Sequence, residues 1–568
     1  MGFALRLADT DKAVLRALDR AQADDVVRRL WAKDPSLWSG DTHDQTLITQ
    51  RLGWLRVAEM MREGLDDLIE WAVAVGQHVD DIVLLGMGGS SLAAEVMVSV
   101  VPPVEPAPTL TILDTTNPAA VHRVEADLDL KRTIFIVSSK SGNTIETAML
   151  AAHFWRCYEA IGIDNPGQHF VAITDRGSDL EKLAIARMYR RIFLNPIDIG
   201  GRYSALSFFG LVPAALASVD VATLLDRTVA AIHRSSTNSD VATNAPIMFG
   251  VALAAMAWRG RDKLSLVSTS TLLPVGAWIE QLVAESTGKG GKGIIPIEGE
   301  TVADPGVYRN DRVFVHLLIE GEESSDQIAA VHALAGAGHP VVTGRFSDPL
   351  DLGAHFLEWE LAVATAGYGL NINPFDEPDV SESKINTRRV LDEAKAAGRF
   401  PPVPTGPCED GVIATGSAAP DLSSAIAHWL DLVADHDYVS IHAYVDRVAS
   451  NESLLRSIQK LLRDHTRCAV TLGYGPRFLH SAGQLHKGGP ATGVFLQITS
   501  DHKGDVQIPT ASFSLGNLVD AQAAGDLESL VCKNRRYLRL HMESPTKGLV
   551  TIERAVRAAF DLRCLVAQ

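Results

Sequence analysis

Residues 81–97 read DIVLLGMGGSSLAAEVM. Ile82 to Leu85 form a short apolar run of the kind a buried strand uses, and LAAEVM, beyond the glycines, has the apolar spacing of a helix. The same succession of strand, loop and helix returns in TLTILDTTNP (109–118), TIFIVSSKSGNTIET (133–147) and HFVAITDRGSDLEKLA (169–184). Strands alternating with helices predict a parallel, doubly wound sheet, because each parallel crossover needs a helix's length of chain. Ligands of such sheets sit at the carboxyl ends of the strands, so the loops GMGGSS and SSKSGNT should face one pocket.

The glycine loop is not a dinucleotide fingerprint by itself. Its glycines fall at 86, 88 and 89 instead of in G-x-G-x-x-G spacing, although Asp114 stands near where a ribose-binding acid would. The second loop carries more chemistry. SSKSGNTIET (138–147) gathers five hydroxyls, one amide and one lysine between a strand and a helix. Unpaired N–H groups at the helix start, with the hydroxyls of Ser139, Ser141 and Thr144, suit a bound anion. The loop lacks the G-x-x-x-x-G-K-[ST] spacing of nucleotide triphosphate sites, and no run of metal-binding carboxylates follows it, so a phosphate monoester on a small molecule fits best. A Ser/Thr-rich turn with an N-cap and no ligand accounts for the same ten residues.

The chain has 568 residues, 46% of them apolar and 21% charged, enough for about three or four domains. Its net charge of −17 argues against nucleic acid or an anionic membrane as partner, since both need a basic face. Five scattered cysteines, Cys157, Cys408, Cys468, Cys532 and Cys564, fit a reducing compartment better than a disulfide framework or a zinc site, and the expected location is the cytoplasm. The longest apolar run, residues 245–258, is too short for a bilayer and reads as a buried helix.

Residues 1–75 read as a helical, amphipathic preface. A first α/β unit is expected over 76–235, and a second over 236–398 with KLSLVST, RVFVHLLI and PVVTG as strands. RFPPVPTGPCEDG (399–411), with its four prolines, reads as a linker, and a third α/β region follows over 412–568.

Three further stretches narrow the function: GGRYSALSFFGLVPAAL (200–216), WIEQLVAESTGKGGKGIIP (278–296) and NPFDEPDVSESK (373–384). With the two loops, they make the chain resemble the glucose-6-phosphate isomerases of the sugar isomerase (SIS) superfamily, most closely the isomerase half of bifunctional transaldolase–glucose-6-phosphate isomerase proteins. The likeness takes in RLWAKDPSLW (29–38) and GYGPRFLHSAGQLHKGGPATGVFLQIT (473–499); no transaldolase portion is present. It implies two SIS-type parallel-sheet domains and interconversion of glucose 6-phosphate and fructose 6-phosphate, in glycolysis and gluconeogenesis. The expected ligand is a small-molecule sugar phosphate, with neither cofactor nor metal. A homodimer, and functional association with a separate transaldolase, are expected of such a chain.

That reaction moves a proton between neighbouring carbons through an enediolate. The resemblance makes Glu285 the proton carrier. Gln281 lies four residues before it, on one face of a helix that ends at the glycines of TGKGGKG, and a carboxylate at a partly buried helix end can have its pKa raised toward neutrality. By the same likeness Arg202 faces the enediolate oxygen, a task for a planar, permanently charged donor set. Lys384 matches the ring-opening lysine. Gly89, Ser90, Ser139, Lys140, Ser141 and Thr144 match positions lining the sugar and phosphate pocket, and Gln281 joins them.

Two departures stand out. Arg312 falls where many of these isomerases carry the ring-opening histidine, with His316 four residues on in a strand and His486, in LHKGGP, as a further candidate. Glu377 replaces the usual Gln seven residues before the lysine, and an acid there should pair with a nearby Lys or Arg or turn away from the phosphate. The alternatives are a dual-specificity isomerase that also takes mannose 6-phosphate and a non-catalytic SIS sensor; the joint presence of Glu285, Arg202 and Lys384 argues against the sensor.

Overall fold

The computed structural model describes residues 2–6, 12–104, 106–397, 400, 405–508 and 511–566. The first described element is a strand, β1 (Gly2–Arg6), where the sequence reads as helical. It pairs antiparallel with a strand more than 330 residues away, Gly2 opposite Arg345 and Phe3 opposite Gly344. Five residues carry too little periodicity to announce a strand; the open edge of a distant sheet decides it. Phe3 seals the contact, its ring 4.7 Å from that of Phe249 and 5.3 Å from that of Trp359.

The first sheet holds β2 (Asp81–Gly86), β3 (Thr109–Leu113), β4 (Thr133–Ser138), β5 (Phe170–Asp175) and β6 (Arg191–Asn195), all parallel, in the order β3-β2-β4-β5-β6. Every residue of β4 is buried, as expected of a strand with helices on both faces. The order reverses between β2 and β4, so the loops after these two strands flank a switch point.

The second sheet combines β1 with β7 (Lys263–Ser268), β8 (Ile295–Ile297), β9 (Arg312–Ile319) and β10 (Val341–Phe346), in the order β1-β10-β9-β7-β8. The expected apolar helix forms as Ala245–Ala257 and packs along Leu352–Leu370; Gly250 makes room, since a Cβ there would stand 2.0 Å from the Ala362 carbonyl oxygen.

The third sheet holds β11 (Cys408–Glu409), β12 (Val412–Thr415), β13 (Tyr438–Tyr444), β14 (Ala469–Tyr474), β15 (Gly493–Ser500) and β16 (Arg536–Met542), in the order β11-β12-β16-β15-β13-β14. Strands β16, β15, β13 and β14 run parallel, with β14 at the edge, and β12 joins β16 antiparallel. The linker expected at 399–411 lies partly outside the described residues, and its end is the strand β11. This unit packs onto the second: Tyr438, Ala469, Leu485 and Phe495 share a core with Ala284, Ile295 and Ile297. Among the described residues no helix is long and apolar enough to cross a membrane.

Candidate active site

The helix Val275–Thr287 carries Gln281 and Glu285 one turn apart, and every residue of its last two turns is buried. Pro274 precedes it and Gly288 follows it. Gly288 lies against the third unit so closely that a Cβ would stand 2.4 Å from the Leu485 Cα. Glu285 is thereby enclosed from two sides.

Arg202, on the single turn Gly201–Tyr203, is 3% exposed and spends its whole fork locally. Its Nη1 lies 3.1 Å from Glu285 Oε1 and donates to Glu377 Oε2 at 3.0 Å. Nη2 donates to the Pro374 and Asp376 carbonyls, both at 2.8 Å, and Nε to Ser286 Oγ at 2.9 Å. Glu377 therefore pairs with an arginine, one of the two outcomes its position called for. Lys289, four residues past Glu285, donates to the Asn373 carbonyl at 2.7 Å and sits 2.9 Å from Asp376. Arginine and lysine together thus hold the segment 373–377 against the end of the Glu285 helix.

Charge and burial oppose each other here. Burial raises the Glu285 carboxyl above its ordinary value; Arg202 pulls it back and Glu377 adds to the rise. Burial also resists ionisation of Glu377, but Arg202, by charge and hydrogen bond, holds it below the usual range. Lys289, buried and beside Arg202, falls to about 7.

The glycine loop closes on this group. Gly88 has φ 54°, and a Cβ on it would meet the His480 carbonyl oxygen at 2.5 Å and Gln281 Nε2 at 2.9 Å. At Gly89 a Cβ would meet the Gly201 carbonyl oxygen at 2.2 Å. Ser90 receives the Ser138 hydroxyl on its carbonyl at 2.8 Å, which ties the loop after β2 to the end of β4. In the hydroxyl-rich loop, Ser139 Oγ and Thr144 Oγ1 are 3.0 Å apart, Ser139 Oγ accepts from Gly142 N at 3.1 Å, and Ser141 Oγ accepts from Asn143 N at 3.2 Å. Lys140 is pinned to Asp175 at 2.5 Å.

Next to this loop opens a cleft of about 640 Å³ whose walls include Asn143, Thr144, Ser383, Lys384, His480 and Gln522. Lys384 is exposed on the helix Val380–Ala397. His480 comes from the third unit, and its Nε2 lies 2.8 Å from Glu146 Oε1, which also accepts from Gln522 Nε2 at 2.6 Å. Burial resists ionisation of Glu146, and its His480 partner overrides this to hold the carboxyl below its usual value. Gln281 links cleft and buried centre: its Nε2 donates to the His480 carbonyl at 2.9 Å and to Glu285 Oε2 at 3.2 Å.

The other ring-opening candidates stand elsewhere. Arg312 is the first residue of β9, at the amino edge of the sheet and away from the carboxyl ends that bind ligands. It is fully buried, and its two terminal nitrogens are held by Glu300 at 3.0 Å, Ser265 Oγ at 2.7 Å and the Cys468 carbonyl at 3.1 Å. His316 lines a separate cavity with His332, Arg345 and Glu323, and burial lowers its pKa. His486 turns into the third unit, its ring 4.5 Å from that of His442 and its Nε2 3.4 Å from Ser440 Oγ; burial, then His442, hold its pKa well down. Asp114 meets Arg477 at 3.1 Å in an ion pair and is committed to the packing of the third unit against the first. Sequence reasoning passed over His480 in favour of His486. The available signal was position: His480 follows the carboxyl end of the parallel strand β14, where ligand-facing residues collect.

Two doubly wound sheets with a buried carboxylate–guanidinium centre and a hydroxyl-rich loop at their carboxyl ends define a protein of the sugar isomerase fold. A sequence profile of the phosphoglucose isomerase family matches residues 55–303. The glucose-6-phosphate isomerase of Thermosynechococcus vestitus is 30% identical over 395 residues, which cover 61% of this chain and 72% of that protein. That of Leptospira biflexa is 25% identical over 432 residues, 67% of this chain and 94% of the other. The chain belongs to the phosphoglucose isomerase family. Among solved structures, a glucose-6-phosphate isomerase from Chlamydia trachomatis superposes with a TM-score of 0.56 at 18% identity, covering 70% of this chain and 90% of that one. A hypothetical protein from Thermus thermophilus gives 0.57 at 24% identity, covering 68% and 99%. These two likenesses establish the fold.

Proposed function

We propose that this chain interconverts glucose 6-phosphate and fructose 6-phosphate, with Glu285 carrying the proton. In the open-chain aldose the Glu285 carboxylate removes the C2 proton and the electron pair forms the C1–C2 double bond of the enediolate; the Glu285 carboxylic acid then gives a proton to C1 while the O2 hydroxyl proton passes to O1, leaving the C2 carbonyl of the ketose. Arg202 offsets the negative charge that grows on the oxygen, in a site where the donor needs no reorganisation. Ser139, Ser141 and Thr144 hold the phosphate at the start of their helix. His480, oriented by Glu146, and Lys384 exchange the protons of ring opening across the cleft. The Asn143–Glu146 side of that cleft leads to the phosphate loop, and Gln281 joins His480 to the base by hydrogen bonds, so the ring-opening groups and the proton carrier stand next to each other.

The observation that carries this reading is the buried pair of Glu285 and Arg202 at 3.1 Å, with burial raising the carboxyl toward a working base. Purified protein given fructose 6-phosphate in deuterated water should form glucose 6-phosphate, with deuterium at C2 in the fraction of turnovers in which the Glu285 proton exchanges with solvent before it is returned. Mannose 6-phosphate in comparable yield would make it a dual-specificity enzyme, and no turnover with retained binding would make it a sensor. His480→Gln and Lys384→Met should slow reaction of the cyclic sugar far more than hydrogen exchange on an open-chain substrate. Equal loss on both would remove these two residues from ring opening.

A further inference from the structure

The helices Pro118–Asp127 and Ile145–Ala160 lie side by side over one core, where Val121 and Val124 of the first meet Leu150, Ala151 and Phe154 of the second. Along their seam the sequence places His122 and Glu125 three apart on one helix, and His153 and Cys157 four apart on the other. Each pair therefore shares a helix face. Glu125 Oε2 is 3.3 Å from His153 Nε2, Glu125 Oε1 is 3.6 Å from Cys157 Sγ, and Cys157 Sγ is 3.8 Å from His153 Nε2. One donor atom from each of the three falls within 4.8 Å of the others.

Three different donors at these separations are what a tetrahedral ion requires. Zinc bonds of about 2.0–2.3 Å to oxygen, nitrogen and sulfur set ligand-to-ligand edges of roughly 3.3–3.6 Å. The Cys157–His153 edge of 3.8 Å is close to that range, and Glu125 reaches His153 through Oε2 and Cys157 through Oε1, with a single carboxylate oxygen within 4.8 Å of both partners. His122 stands at the outer edge of this group of three, its Nδ1 3.8 Å from Glu125 Oε2, and joins an ion there by turning inward. Its Nε2 lies 2.7 Å from the Gly504 carbonyl oxygen, which can only accept, so in the neutral ring Nε2 carries the hydrogen and Nδ1 keeps its lone pair. Metal-binding histidines are oriented by such a second hydrogen bond. Glu125 is 38% exposed and His122 52%, leaving an approach from solvent, while His153 is 12% exposed and fixes the inner corner.

We propose that His153, Cys157 and Glu125, with His122 as the fourth donor, form a structural site for a borderline-soft divalent cation of the zinc type. On binding, the Cys157 thiol gives its proton to solvent and its sulfur bonds the ion, with no change of oxidation state. The site clips the carboxyl half of the helix Ile145–Ala160 to its neighbour. That helix begins at the phosphate loop, so the ion stiffens the element on which the loop is mounted. Through His122 and Gly504 it also ties the first unit to the third.

Reduced protein stripped with a chelator, then titrated with Co²⁺, tests this directly. The expected result is one equivalent bound with tetrahedral visible absorption and a thiolate-to-cobalt charge-transfer band, all displaced by Zn²⁺. Cys157→Ser should delete the band, and His153→Gln should weaken binding by at least about tenfold, on the scale of ligand-shell changes. Should those inner variants fold poorly, the outer variants Glu125→Gln and His122→Ala should still lower affinity in protein whose melting temperature without metal is unchanged. Zn²⁺ should raise the melting temperature of the parent and raise it less in each variant. Absence of saturable uptake by the parent, or a charge-transfer band that survives in Cys157→Ser, would overturn the proposal, since the exposed Cys408 and Cys532 would then account for any binding.

Discussion

Arg202 Nη1 is shared between two carboxylates, 3.1 Å from Glu285 and 3.0 Å from Glu377. One guanidinium corner thus faces the proposed base and also the acid that stands in a position where an amide was expected. Because the remaining nitrogens are taken by Ser286, Pro374 and Asp376, the arginine cannot leave either carboxylate without losing buried hydrogen bonds. The electrostatics of the centre therefore follow from which of these groups is charged.

Replacing Glu285 by Gln keeps the shape of the side chain and its contact with Gln281 but removes the proton acceptor. Turnover should fall by about 100- to 10,000-fold, the usual contribution of a positioned base, with sugar-phosphate affinity retained. Steady-state kinetics and equilibrium binding measured side by side check this; activity within about tenfold of the parent would free Glu285 from the role.

Arg202→Lys should harm both catalysis and folding. A single ammonium cannot reach Ser286, the two carbonyls and both carboxylates, and each buried acceptor left without a donor costs about 1–3 kcal/mol. We expect kcat to fall more than KM rises, with a lower denaturation midpoint. A change confined to KM would assign Arg202 to uniform substrate binding.

Glu377→Gln tests the shared corner. A negative neighbour disfavours ionisation of Glu285, so neutralising it should lower the Glu285 pKa and carry the acid limb of kcat/KM to lower pH. Sugar-phosphate binding should tighten as well, since one anion fewer borders the site. An acid limb that stays in place, with unchanged affinity, would show that Glu377 is sensed by neither base nor ligand.

Lys289 makes the opposite prediction. Its positive charge favours the ionised Glu285, so Lys289→Met should move the acid limb upward. Stability should respond too. Between about 7 and the ordinary lysine value of 10.5 the unfolded chain holds a proton that the folded chain lacks, so folding gains stability as pH rises through that window. Chemical denaturation of parent and variant across it should show that extra gain in the parent alone. Parallel stability curves would mean that Lys289 stays charged in the folded protein.

How much of this was legible in the sequence depends on the range of the interaction behind each feature. Residues 81–97 and their repeats carry the alternation of apolar runs and helix spacing, and local periodicity follows directly from which faces are buried, so the parallel first sheet, the strands β7, β9 and β10, and the third α/β unit could all be read from it. Spacing within one element was equally plain: Gln281 and Glu285 four apart do share a hydrogen bond. Features built between distant segments were not readable. His480 and Glu146 meet across 334 residues; the place of His480 just after a strand is the one local hint that sets it apart from His486, six positions on, and packing alone turns one ring to the cleft and the other into the third unit. The strand β1 exists because β10 offers an unpaired edge, and Cys157, counted from the sequence as one scattered thiol, stands beside Glu125 and His153 only because two helices lie along the same seam. Sequence encodes which residues must be buried and with what period; only the close-packed interior decides which distant side chains become neighbours, because each such contact depends on every element between them.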